Sequence, residues 1–142
     1  MTTVKQLLQE KGREVFSIRP DATVYEAIQK MADLNVGALV VIDNGKPVGI
    51  ITERIYAREV VLKGRTSPST TVGTVMWPNP VCAKPEQTVE ECMAVMTETR
   101  RIHLPVIDRG ELVGIVSIGD LVKSVISHHE FTIDQLLHYI QR

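Results

Sequence analysis

The sequence predicts an α/β architecture of the α+β kind: two β-α-β-β-α units in tandem, flanked by an N-terminal and a C-terminal helix. The first reason is self-similarity. Slid against itself by sixty-five positions, which sets Gly49 on Gly114, the chain matches without a gap from Pro20/Pro85 through Val60/Val125. A match of that length marks duplicated structural units. The second reason is the apolar pattern, which passes from helical to strand-like stretches at the same places in both copies. The third is composition: 142 residues with 44% hydrophobic and 23% charged content make an ordinary globular chain with a real core.

Taken in order, VKQLLQ near the start reads as the first helix, and VFSIR as a short strand leading into the first repeat. PDATVYEAIQKMADLN opens on T-x-x-E, a capping box in which Thr23 takes an orphan helix N–H and Glu26 reaches back. ALVVID follows as a buried strand, NGKPVGII as a glycine turn plus a second strand, and ERIYAREVVL as a second helix. Lys63 to Gly73, KGRTSPSTTVG, carries the Gly, Ser and Pro of a connecting loop. The second copy repeats the series as VCAKP, PEQTVEECMAVMTETR, HLPVID, RGELVGIV and IGDLVKSVIS. FTIDQLLHYI closes the chain, its Phe131, Ile133, Leu136, Leu137 and Ile140 forming an amphipathic stripe. A single repeat is too small to bury its apolar surface comfortably, so the two are expected to pack together. The chain divides into residues 1–71, a helix plus the first repeat, and 72–142, the second repeat plus a helix.

Several function classes are disfavoured. A net charge of −1 and a pI near 6.4 leave no basic footprint for nucleic acid. No apolar run reaches the roughly 18 residues of a membrane span, and MTTVKQLLQE lacks the apolar stretch of a secretory signal, so a cytoplasmic protein is expected. Cys82 and Cys92 are too few for a disulfide framework; Cys92 keeps helical spacing with Val89, Met93 and Met96 and reads as a buried thiol. His128, His129 and His138 invite a metal reading, but only Asp134 and His138 have i,i+4 spacing, and no metal is expected. No phosphate-binding glycine loop, metalloprotease motif or nucleophile elbow occurs, so the chain is read as a non-enzyme.

The repeats share P-x-x-T-V-x-x-[AC], the turn VID-x-G, and a closing stretch that reads GIITERI from Gly49 and GIVSIGD from Gly114. On these motifs, residues 12 to 128 resemble a pair of CBS domains, the cystathionine β-synthase type module. The whole chain is similar to a stand-alone bacterial CBS-pair protein. That resemblance implies pseudo-twofold packing of the repeats, two clefts between them, and an adenosyl ligand: AMP first, with ADP, ATP, NAD or S-adenosylmethionine as alternatives. It places the ribose on Asp120, with Ser117, Ile115 and Gly119 beside it. It places the phosphate toward His103 and Arg101, flanked by Arg100, and the adenine against Val15, Phe16, Ile18, Gly37 and Ala38. A second site around Ile55 would use Thr52, Arg54, Arg58, Val81 and Cys82. It further implies a homodimer and an unidentified protein target.

The residues themselves leave alternatives open. A carboxylate at 120 can accept both hydroxyls of a ribose, whereas Ile55 can accept neither, so one competent cleft and one degraded or repurposed cleft are expected. Yet Ser117 and Asp120 also spell a capping box that needs no ligand. His103 equally begins a strand, Phe16 and Ile18 are equally good core residues, and Arg54 with Arg58 equally forms a solvated helix face. The reading is an adenosine-nucleotide sensor or regulator. Its rivals are a ligand-free assembly module and a nucleic-acid-associated protein using Arg54, Arg58, Lys63 and Arg65, which the acidic pI disfavours.

Overall fold

A computed structural model describes residues 1–140; the last two positions of the 72–142 half lie outside the described residues. Helix α1 (Val4–Lys11) begins on a complete capping box, Gln6 N–H donating to Thr3 Oγ1 at 3.2 Å and Thr3 N–H to Gln6 Oε1 at 3.0 Å. The first repeat comprises β1 (Ser17–Ile18), α2 (Val24–Leu34), β2 (Ala38–Asp43), β3 (Lys46–Thr52) and α3 (Glu53–Ile55), the last continuing as π-helical Tyr56–Val61. A 3-10 turn at Ser67–Ser69 leads to α4 (Val72–Val75) and β4 (Trp77–Pro78). The second repeat comprises α5 (Val89–Thr99), β5 (His103–Asp108), β6 (Glu111–Ser117) and α6 (Ile118–Ile140).

The duplication read in the sequence is present in the backbone. Both hairpins, β2–β3 and β5–β6, are antiparallel and carry a register shift at the same place, between Val41 and Ile42 and between Val106 and Ile107. Both close with a two-residue turn at positive φ, Asn44 (52°) with Gly45 (77°) and Arg109 (53°) with Gly110 (82°). Such turns match the twist of the flanking strands. Helices α2 and α5 both end on a left-handed residue, Asn35 and Arg100.

Local differences from the expectation have physical causes. Thr23 and Thr88 each accept the expected N–H, from Glu26 and Glu91, but among the described residues neither glutamate returns to the cap N–H; Glu91 accepts from the Thr88 hydroxyl instead. VCAKP pairs only through Ala83, whose N–H donates to Pro105 O at 2.8 Å, because Lys84 N–H turns to Gln87 Oε1 and Pro85 has no N–H to give. The segment read as a loop to Gly73 already contains the start of α4. IGDLVKSVIS and FTIDQLLHYI form one helix, α6, since neither Gly nor Pro interrupts Asp120 to Ile140. The far half of α6 is uncovered, with Phe131 63% exposed and Ile140 75%.

The two hydrophobic cores exchange helices. Val4, Leu7 and Leu8 of α1 are buried with Val89, Cys92, Met96, Leu104, Val116 and Leu121 of the second repeat. Val72 and Val75 of α4 are buried with Val24, Ala27, Met31, Leu39, Ile51 and Val60 of the first. The backbone docking is the same in both: Val4 N–H donates to Gln87 O and Val89 N–H to Thr2 O, as Val72 N–H does to Ala22 O and Val24 N–H to Thr70 O. Each core therefore draws on chain from both sides of position 71/72. Burial and the neighbouring Glu91 push the Cys92 thiol up to about 11, in keeping with its place in the second core.

Candidate functional site

The strand-to-helix junctions of the repeats and the segments entering β2 and β5 enclose two clefts. In the first, Phe16, Val36, Gly37 and Ala38 from one repeat face His103, Ile115 and Ser117 from the other, with Lys11 of α1 on the rim, around about 190 Å³. At its edge Ser117 ends β6 and caps α6. Ser117 N–H donates to Asp120 Oδ2 at 2.8 Å, and Asp120 N–H donates to Ser117 Oγ at 3.2 Å. The capping box is thus formed, and it fixes the carboxylate beside the cleft. The Lys11 ammonium donates to the same Oδ2 at 2.5 Å and to Ile115 O at 2.8 Å.

Electrostatics at this cleft follow from burial and these bonds. Burial pulls the Asp120 carboxyl upward, but the Lys11 hydrogen bond, the Ser117 bonds and the Lys11 charge outweigh it, leaving the group below its ordinary value. Burial lowers His103, Asp120 partly opposes that, and Lys11 adds to it, so the imidazole is held neutral more readily than in water. His103 therefore offers an N–H or a lone pair rather than a fixed charge at pH 7.

The second cleft encloses about 360 Å³ and is lined by Ile50, Thr52, Ile55 and Trp77, with four arginines, Arg54, Arg58, Arg100 and Arg101, and two carboxylates, Glu53 and Glu59. The Arg101 guanidinium lies 4.5 Å from the Trp77 ring centre, a cation–π contact. Its Nη1 is buried without a hydrogen-bond partner among the described residues. A shift of sixty-five carries the lining residues Ile50, Thr52, Ile102 and His103 onto Ile115, Ser117, Gly37 and Ala38 of the first cleft. The two clefts are repeat-related. They also abut, because Gly37 and His103 line both.

Of the residues expected around Asp120, the structure brings Phe16, Gly37, Ala38, His103, Ile115 and Ser117 together. Ile18 packs against the first core instead, Val15 and Gly119 are not in the wall, and Asp120 itself stands just behind it, bonded to the lining residues Lys11 and Ser117. Arg101 and Arg100 stand in the neighbouring cleft with Thr52, Arg54 and Arg58. Val81 and Cys82 are outside that wall; Val81 packs on the second core, and the Cys82 thiol donates to Pro80 O at 3.4 Å. Lys63 and Arg65 are tied to Glu59, through its carboxylate at 2.8 Å and its carbonyl at 2.8 Å. Lys11 and Trp77 were not expected. Trp77 is the one tryptophan of the chain and carried that much signal, whereas Lys11 lies outside the repeat match and arrives only because α1 crosses to the other repeat. Among the described residues no group of three His, Cys, Asp or Glu side chains could hold a metal ion, and no helix is long and apolar enough to cross a membrane.

Comparison with known proteins agrees with this geometry. The family model for the CBS domain matches twice, at residues 4–61 and 72–127. A mitochondrial CBS domain-containing protein of Arabidopsis thaliana, CBSX3, is 39% identical over 149 residues, covering 99% of this chain and 72% of the plant protein. The crystal structure of a putative signal-transduction protein with CBS domains from Burkholderia ambifaria superposes with a TM-score of 0.86 at 48% identity, covering 89% of this chain and 95% of that one. A CBS domain pair crystallised with 5′-methylthioadenosine and S-adenosylmethionine shares the fold, with a TM-score of 0.79 at 24% identity over 90% of this chain and 98% of that one. With two matches to the family model, two hairpins in the same register and two repeat-related clefts, the chain belongs to the CBS domain family and carries the domain in tandem.

Proposed function

We propose that this CBS pair binds an adenosine nucleotide, AMP foremost, in the cleft beside Asp120, and passes occupancy to another protein as a regulatory signal. The observation that carries the reading is the Asp120 carboxylate held by Ser117 and Lys11, two lining residues of a cavity whose walls come from both repeats. An ionised carboxylate receives both hydroxyls of a ribose. A ligand touching both repeats favours one packing of them, and shifts their equilibrium by its difference in affinity between the packings. The CBS pair holding two adenosyl compounds supports the ligand class. The uncovered apolar stripe on α6 supports a homodimer as the acting form. In the neighbouring cleft, four arginines outnumber Glu53 and Glu59, the latter paired with Lys63, and with the unpartnered Arg101 Nη1 they favour an anionic occupant without a ribose grip.

The test is thermal unfolding with AMP, ADP, ATP, NAD and S-adenosylmethionine, on the wild type and on Asp120→Asn. The amide keeps an oxygen for Ser117 N–H and loses the charge, so affinity should fall about ten- to a hundredfold. At a hundred times its dissociation constant a ligand adds about 2.7 kcal/mol, which moves the midpoint by several degrees. If no ligand moves the wild type, a ligand-free assembly module takes the place of this reading.

A further inference from the structure

Lys11 is the last residue of α1, the helix that precedes the first repeat in the sequence and packs in the core of the second. Its ammonium already occupies Asp120 Oδ2 and Ile115 O, at 2.5 and 2.8 Å. One of the two oxygens that a bidentate ribose requires is thus held by a cation of the same chain. The pair is partly shielded from solvent, the two side chains being 29% and 26% exposed. Among the described residues Lys11 is the one lysine or arginine in the wall of this cavity, the arginines lining the neighbouring cleft.

Oδ2 already accepts from both Ser117 N–H and Lys11, while Oδ1 is open among the described residues. A neutral sugar that grips both carboxylate oxygens with its two hydroxyls therefore displaces the ammonium from Oδ2 and leaves it with a carbonyl alone. Uncompensated charge in a partly dry site is costly. A sugar that carries a phosphate brings the ammonium a new partner, and a lysine head on four flexible carbons can swing to meet it. We infer that Lys11 is a specificity-determining residue that exchanges Asp120 for the ligand's phosphate as the ribose engages Asp120, so that the cleft selects anionic over neutral adenosyl ligands. The inference rests on the adenosyl reading of this cleft.

Calorimetric titration of the full chain with AMP and with adenosine tests it, on the wild type, Lys11→Met and Lys11→Arg. Methionine keeps the length of the stem, and arginine keeps the charge, so the second variant serves if the first folds poorly. The wild type should prefer AMP. Lys11→Met should lose about tenfold or more for AMP, the worth of a charged hydrogen bond, while adenosine binds as well or better. Lys11→Arg should restore the preference. Equal wild-type affinity for the two ligands, or a Lys11→Met change of the same factor for both, overturns the exchange and leaves the adenosyl site standing. If the wild type binds neither, the adenosyl reading falls and this inference with it.

Discussion

Asp120 ionises below the ordinary carboxyl value of 3.8 and His103 protonates below the ordinary imidazole value of 6.5. In both cases the unfolded chain binds protons more readily, so stability falls as pH falls. The Asp120 contribution is complete above 3.8 and lost as pH drops through its folded value. The His103 contribution is complete above 6.5 and declines below it. We predict that the melting midpoint falls as the pH is lowered from 7, and that His103→Gln removes part of the slope just below 6.5. An unchanged slope in the variant would show that other groups carry the effect. At this scale the repeat motif singled out Ser117 and Asp120, and the family resemblance singled out His103. It could not disclose Lys11, since no spacing in the chain links position 11 to position 120.

Glycine at 49 and 114 was legible as part of a motif, and the packing of elements supplies its cause. A Cβ on Gly114 would sit 2.8 and 2.9 Å from the two methyls of Leu8 on α1, and one on Gly49 would sit 2.7 Å from Trp77 O and 2.6 Å from Met76 Sδ. Helix α1 lies directly on the strand at Gly114, and the residue that caps α4 together with β4 lies on the strand at Gly49. Gly114→Ala should cost about 1–3 kcal/mol by overpacking, measured by denaturant unfolding. Leu8→Ala should cost about 2–5 kcal/mol through its cavity. In the double variant the alanine methyl enters space that Leu8 has left, so the summed costs should overshoot by about 0.5–3 kcal/mol; strict additivity would refute the contact. Gly49→Ala should be worse than Gly114→Ala, because a backbone carbonyl yields less than a side chain.

The helix exchange makes the two repeats one folding unit. A fragment of residues 72–142 lacks Val4, Leu7 and Leu8 and so lacks a wall of its core, while residues 1–71 lack Val72 and Val75. Expressed alone, neither fragment should show a cooperative thermal transition by circular dichroism. Mixed, they should regain one. Independent folding of the second fragment would mean that α1 adds little to that core. The same arrangement ties the cleft to a core, because α1 touches Asp120 through Lys11 while its buried face packs in the core of the second repeat.

The sequence alone determined the duplication, the hairpins with their glycine turns, the capped helices and the difference between Asp120 and Ile55. All of these are written in local pattern: apolar period, turn chemistry and capping spacing act over a few residues and repeat when the segment repeats. Only the tertiary structure decided which helix completes which core, that Arg101 serves the cleft with Trp77 rather than the one with Asp120, and that an ammonium from position 11 meets the carboxylate. The reason is physical. Helix α1 carries apolar residues that either core could bury, and the choice between them is made by chain connectivity and by the shape of strands distant in sequence.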